Sequence, residues 1–133
     1  MNILIIEDDL TSSIILSRML AKYGSVAVAT NGKEGLNRFR NATETNALFS
    51  LLFIDIMLPE MDGQEVLKEI RQTEKDRAVF GFDSVKIIMT TSLDDSKNIM
   101  QAFRSQCEGY LVKPISHDKL NLELSRLFEN AKY

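Results

Sequence analysis

Four apolar runs in this sequence end in side chains that can do chemistry. Ile3-Leu4-Ile5-Ile6 runs into Glu7-Asp8-Asp9, and Leu51-Leu52-Phe53-Ile54 runs into Asp55. Val85 to Met89 leads to Thr90-Thr91-Ser92, and Tyr110-Leu111-Val112 to Lys113-Pro114. If the first and third runs are neighbouring strands, their carboxylates converge in one shallow pocket, where each is costly to keep ionised beside the others. A hard divalent cation with oxygen ligands and retained waters relieves that repulsion, which points to Mg²⁺. A lysine adds a further positive charge. A cation and an ammonium together offset the charge that spreads over a transferring phosphoryl group. The hydroxyl of Thr91 can hydrogen-bond the group once it is attached.

Each residue also has an ordinary use. Acids ahead of a helix favour its positive dipole end, and an Asp after a strand can simply form a turn. A Thr can start a turn, and lysines are mostly solvated. The coincidence decides between the readings, because four separate run ends carry the groups that one mechanism needs.

The elements that must position these groups follow from hydrophobic spacing. Short continuous apolar runs rich in β-branched residues read as strands buried on both faces. Helical spacing appears between them. Ile15, Met19, Leu20 and Tyr23 mark a first helix over Thr11 to Tyr23, with Gly24 placed to end it. A weaker strand, Val26 to Ala29, is followed by an Asn31-Gly32 turn and by Gly35, Leu36 and Phe39 on one helical face. Val66, Leu67 and Ile70 mark a third helix after Gly63. Ile99, Met100 and Phe103 mark a fourth, capped by Asp94 or Asp95, and Leu120, Leu124, Leu127 and Phe128 stripe a fifth. Five alternating βα units imply a doubly wound parallel sheet with helices on both faces, and ligands of such sheets gather beyond the carboxyl ends of the strands. Glu74 to Ser84 reads as the longest irregular stretch.

Taken together, the motifs resemble the response-regulator receiver family. They are Ile3 to Asp9, Phe53-Ile54-Asp55-Ile56-Met57-Leu58-Pro59, Met61-Asp62-Gly63, Ile87 to Ser92 and Gly109 to Pro114. The resemblance covers essentially the whole chain. It implies a flavodoxin-like (βα)₅ fold with strand order 2-1-3-4-5, and a two-component signalling role. Asp55 would be the phosphoacceptor, served by a sensor histidine kinase or a histidine phosphotransfer protein. Asp8, Glu7 (largely through water), Asp55 and the Met57 carbonyl would hold Mg²⁺. Thr91 would contact a phosphoryl oxygen and Lys113 would pair with Asp55 or the phosphoryl. Tyr110 would change rotamer on activation, and Lys113-Pro114 would be cis. The surface of the fourth helix, fifth strand and fifth helix would then engage a downstream protein. Such a protein catalyses only its own phosphorylation and dephosphorylation.

Two positions depart from the usual pattern. Met57 and Leu93 stand where that family tunes phosphoryl lifetime, and neither can hold an attacking water strongly, so slow self-dephosphorylation is expected. Their alternative use is to pack on each other. Val79, Phe80 and Phe82 read as packing over the sheet edge, with a docking loop as the alternative. His117 reads as a solvated or capping residue before the last helix, and Cys107 as a small core residue.

The 133 residues suit one domain spanning 1–133. An apolar fraction of 44% is enough for a core without disulfides or a structural metal. One cysteine and no secretory n-region point to a reducing, cytoplasmic setting. No apolar run approaches the ~20 residues of a bilayer span, so no membrane association is expected. A net charge of −3 with no Lys/Arg block argues against direct nucleic-acid binding. Two rival chemistries fit less well. A flavodoxin-like cofactor site needs a phosphate-binding loop where Glu7-Asp8-Asp9 would repel it, and an aspartate-nucleophile phosphatase usually has a second Asp where Met57 stands. The Met1 start beside the first strand reads as favouring a free-standing regulator.

Overall fold

A computed structural model describes residues 1–79, 81–92 and 96–128. Five strands alternate with five helices: β1 (Asn2–Ile6), α1 (Leu10–Leu20), β2 (Ser25–Ala29), α2 (Gly32–Glu44), β3 (Leu51–Asp55), α3 (Gly63–Asp76), β4 (Lys86–Thr91), α4 (Ser96–Arg104), β5 (Gly109–Val112) and α5 (His117–Phe128). All four strand pairs are parallel, in the order β2-β1-β3-β4-β5. The doubly wound sheet expected from the alternation is therefore the observed one.

The strands are continuous apolar runs because both faces are covered. Leu4, Ile6, Leu52, Ile54, Ile87 and Met89 face Leu36 and Phe39 of α2, Val66, Leu67 and Ile70 of α3, and Ala102 of α4. Ile3, Ile5, Leu51, Phe53, Ile88 and Leu111 face Leu16 and Leu20 of α1 and Leu120 and Leu124 of α5. Alternate residues of one strand thus enter two different cores.

Helices α1, α2 and α3 each begin on a capping Asx side chain. Asp9, Asn31 and Asp62 accept the amide hydrogens of Ser12, Glu34 and Glu65 at 3.0, 2.8 and 3.0 Å, which satisfies donors that the first helical turn leaves free. Asn31 is thus the N-cap of α2, where the dipeptide had read as a turn.

Some details differ from the sequence reading. Helix α1 buries Leu16 and Leu20 and leaves Ile15 half exposed, so its core stripe is one position away from the expected start. It ends at Leu20, and Gly24 serves the turn into β2, where a Cβ would fall 1.9 Å from the Met1 carbonyl oxygen. Helix α4 buries Ile99 and Ala102, while Met100 and Phe103 are exposed. Residues 74–76 belong to α3, and Gly81–Asp83 forms a 3₁₀ turn, so the supposed long loop is short. His117 is the first residue of α5 and not a residue ahead of it. Cys107 is buried, as expected. The roles considered for Leu93, for Phe80 with the Phe82 side chain, and for Asp94 and Asp95 lie outside the described residues.

Candidate functional site

The carboxyl ends of β1 and β3 lie side by side, with Ile6 in register with Ile54. The residues that follow are therefore forced together. One carboxylate oxygen from each of Glu7, Asp8 and Asp55 lies within 4.8 Å of the others. Glu7 and Asp55 are buried and Asp8 is exposed. Asp9 meets this group only through its amide, which donates to Glu7 Oε2 at 3.2 Å. Its carboxylate caps α1 through the Ser12 amide and hydroxyl at 3.0 and 2.6 Å, and those bonds hold its carboxyl below the ordinary range. Serine three residues after Asp9 was the available signal for that division of labour.

Lys113 comes from the end of β5 and binds two of the three acids. Its ammonium donates to Asp55 Oδ2 at 3.0 Å and also to Glu7 Oε1. The backbone delivers it there: the Lys113 amide donates to the Thr91 carbonyl at 2.7 Å, and the following Lys113-Pro114 bond is cis. The second Asp55 oxygen, Oδ1, accepts the Met57 amide at 2.9 Å. That amide is a contact the sequence reading did not assign. Burial pushes the Glu7 carboxyl up to about 7, and the neighbouring Asp55 adds to the effect against the pull of Lys113. Burial alone would lower the Lys113 ammonium, but Glu7 and Asp55 outweigh it and hold it above its usual value. Three carboxyls thus share one ammonium, and their crowding disfavours keeping all of them ionised. Three oxygen donors of this kind fit a hard divalent cation.

Backbone bonds hold the loop after β3. Ile56 donates to the Thr90 carbonyl at 2.9 Å and accepts the Gly63 amide at 3.1 Å. A Cβ at Gly63 would sit 2.2 Å from the Asp55 carbonyl oxygen, so the chain closes only over glycine. An open depression of about 520 Å³ beside the acids is lined by Asp8, Met57, Pro59, Asp62 and Gln64 among others. A second, of about 310 Å³, borders Glu7, Thr90 and Lys113 under Ile15 and Met19.

Thr90 is the register partner of Asp55, and Thr91 follows it at the end of β4, buried. Tyr110 lies further out on the edge strand. It is partly exposed and packs edge-on against Phe103 of α4, with ring centroids 6.0 Å apart. Met57 is exposed beside the pocket. Every described site residue expected from sequence thus lies at the carboxyl end of the sheet or on its β5 edge.

A response regulator receiver domain model matches residues 3–125. The chain belongs to that family. It is a receiver domain of the two-component type, with the doubly wound fold of its relatives. It is 32% identical over 132 residues to the transcriptional regulatory protein ZraR of Klebsiella oxytoca, covering 98% of this chain and 27% of that regulator. It is 30% identical over 125 residues to the osmosensing histidine protein kinase SLN1 of Saccharomyces cerevisiae, covering 92% of this chain and 10% of that kinase. The receiver thus spans about a quarter or less of the length of these two relatives. A co-crystal structure from S. cerevisiae contains the receiver domain of the response regulator Ssk1 with the histidine phosphotransfer signalling protein Ypd1. This receiver matches it with a TM-score of 0.82 and 29% identity, over 97% of this chain and 90% of that one. Among the described residues no helix is long and apolar enough to cross a membrane.

Proposed function

We propose that residues 1–133 act as one cytoplasmic phosphoacceptor unit whose nucleophile is Asp55. The observation that carries this reading is the meeting of Glu7, Asp8 and Asp55, with Lys113 bridging two of them. Glu7, Asp8, Asp55 and the Met57 carbonyl would hold Mg²⁺, which would supply positive charge to offset that of the incoming phosphoryl group. A carboxylate oxygen of Asp55 forms the new bond to phosphorus. The nitrogen–phosphorus bond of a donor phosphohistidine breaks, and the imidazole leaves. Lys113 holds the Asp55 carboxylate in place from one oxygen and the Met57 amide holds it from the other. Once the acyl phosphate has formed, the Thr91 hydroxyl and the Lys113 ammonium bind its oxygens. The donor is a sensor histidine kinase or a histidine phosphotransfer protein, the pairing seen for Ssk1 and Ypd1.

The output is a shift between two populations. Thr91 moves towards the phosphoryl group, and Tyr110, packed on Phe103 in the present state, turns inward. The face formed by α4, β5 and α5 changes with it and engages a downstream protein. A shift from 1% to 99% active needs about 5.5 kcal/mol of differential stabilisation. The unit turns over no external substrate.

The test is labelling by acetyl phosphate in magnesium or in chelator. Labelling is expected only with magnesium, and it is expected to disappear when Glu7 and Asp8 are both changed to Ala. Equal labelling in chelator would remove the metal from the account.

A further inference from the structure

At the other end of the sheet, where β4 and β5 begin, Arg71 and Glu74 of α3 join Glu108 in a partly buried charge cluster. The Arg71 guanidinium has five N–H donors and every one meets an acceptor. Nε donates to the Gln106 carbonyl at 2.8 Å. Nη1 donates to Glu74 Oε1 at 2.6 Å and to the Val85 carbonyl at 2.9 Å. Nη2 donates to both oxygens of Glu108, at 2.7 and 3.0 Å. The two carboxylates reach on to the backbone: Glu74 accepts the Val85 amide at 2.8 Å, and Glu108 accepts the Ile87 amide at 2.6 Å. The Arg71, Glu74 and Glu108 side chains are 11%, 6% and 26% exposed.

What this cluster holds is the turn that ends α4. Gln106 follows that helix with φ at +73°, a left-handed backbone that a side-chain-bearing residue keeps only when its surroundings enforce it. Its carbonyl is the one taken by Arg71 Nε. The Ser105, Gln106 and Cys107 amides close back onto α4, and the Glu108 amide enters the sheet on the Ile87 carbonyl at 2.8 Å.

We propose that Arg71 is a positioning residue that pins the C-terminal end of α4, so that this helix answers the switch by turning about that end and not by sliding as a whole. The inference rests on the reading of α4, β5 and α5 as the switching face. Drawing an arginine and two carboxylates largely out of water is a poor route to stability, since apolar side chains can fill the same space as well. Such a cluster does select one arrangement of the chain, and the arrangement selected here is the α4–β5 turn. The acidic pocket and the pin lie at opposite ends of the sheet, so the helix is fixed at the end remote from the phosphoacceptor.

The test is amide hydrogen exchange read by mass spectrometry on the full chain. Wild type, Arg71→Met and Arg71→Lys are compared with and without beryllofluoride and magnesium, the probe for the acyl phosphate. In wild type, beryllofluoride should change exchange in residues 97–103 and leave residues 105–108 within about twofold. In Arg71→Met, residues 105–108 should exchange at least about tenfold faster, and the beryllofluoride response should spread into them. Arg71→Lys keeps the charge without the planar fork and should show the same spread, which covers the case of a methionine variant that does not fold. An equal wild-type response in 97–103 and 105–108 would overturn the pin and leave the switching face standing. So would unchanged exchange of 105–108 in both variants. No response anywhere in wild type would overturn the switching face and the pin together.

Discussion

Lys113 and Asp55 stand 58 positions apart in the sequence and meet at 3.0 Å in the fold. The same ammonium reaches Glu7 of β1's carboxyl end, so three strands are tied together by one side chain. Its replacement by Met leaves two buried carboxylates without their shared counter-charge. Lys113→Met should lose about 1–3 kcal/mol of stability in chelator. Magnesium should recover part of that loss, and acetyl phosphate labelling should be slower by at least about tenfold. Urea unfolding with and without magnesium, alongside a labelling time course, checks both statements. An unchanged labelling rate would remove Lys113 from the site.

Neighbouring acids should separate cleanly by role. Asp9→Ala removes the α1 cap and should lower the melting temperature while leaving labelling of Asp55 intact. Asp8→Ala should do the reverse, abolishing magnesium-dependent labelling with little effect on melting. Melting and labelling measured on both variants decide the assignment, and swapped results would mean that the structure has given the two residues each other's work.

Gly63 should tolerate no side chain. The Asp55 carbonyl oxygen that a Cβ would strike is backbone, which cannot swing aside as a flexible side chain would. Gly63→Ala should cost about 1–3 kcal/mol, read from the urea midpoint. It should also slow labelling, because the displaced loop carries the Met57 amide that holds Asp55. A neutral substitution would show that the loop can close another way.

Phosphoryl lifetime should be long. Met57 is exposed beside the pocket, and a thioether is a weak partner for an attacking water. Met57→Asn offers such a water a donor and an acceptor, and decay of the labelled form in magnesium should then be faster by about tenfold or more. Identical decay curves would assign the lifetime to something other than this side chain.

Cys107 should be inert in the native protein. Burial, with Glu108 close by, pushes its thiol up to about 11 from an ordinary 9.0. The unfolded chain therefore releases this proton first as pH rises. The associated stability is fully present below pH 9 and is lost as pH rises through about 11. A thiol reagent at pH 8 should react with the urea-unfolded chain and only very slowly with the folded one. Fast modification without urea would contradict the buried placement.

Much of this was readable from residues alone, for a physical reason. A strand covered on both faces must be continuously apolar, so Leu51 to Ile54 announced itself and the first polar residue after it, Asp55, marked the strand's end. Helix faces were harder. In α1, Ile15 and Leu16 are equally apolar, and only packing beneath the helix decides that Leu16 is the buried one. In α4, Met100 and Phe103 looked like core and are exposed, with Tyr110 of the neighbouring strand set against Phe103. The Arg71 cluster was invisible because Glu108 and the carbonyls of Val85 and Gln106 lie far along the chain from Arg71. The i,i+3 spacing of Arg71 and Glu74 alone reads as an ordinary helix-surface pair. The same holds for Lys113, whose significance came from the ends of other strands and not from its own neighbours.

The central claim is that Asp55 is the nucleophile of this acidic cluster. Intact-mass measurement after incubation with acetyl phosphate and magnesium tests it most directly. Wild type should gain the mass of one phosphoryl group, and Asp55→Ala should gain none. A wild-type protein that never gains that mass, or an Asp55→Ala protein that still does, would contradict the account.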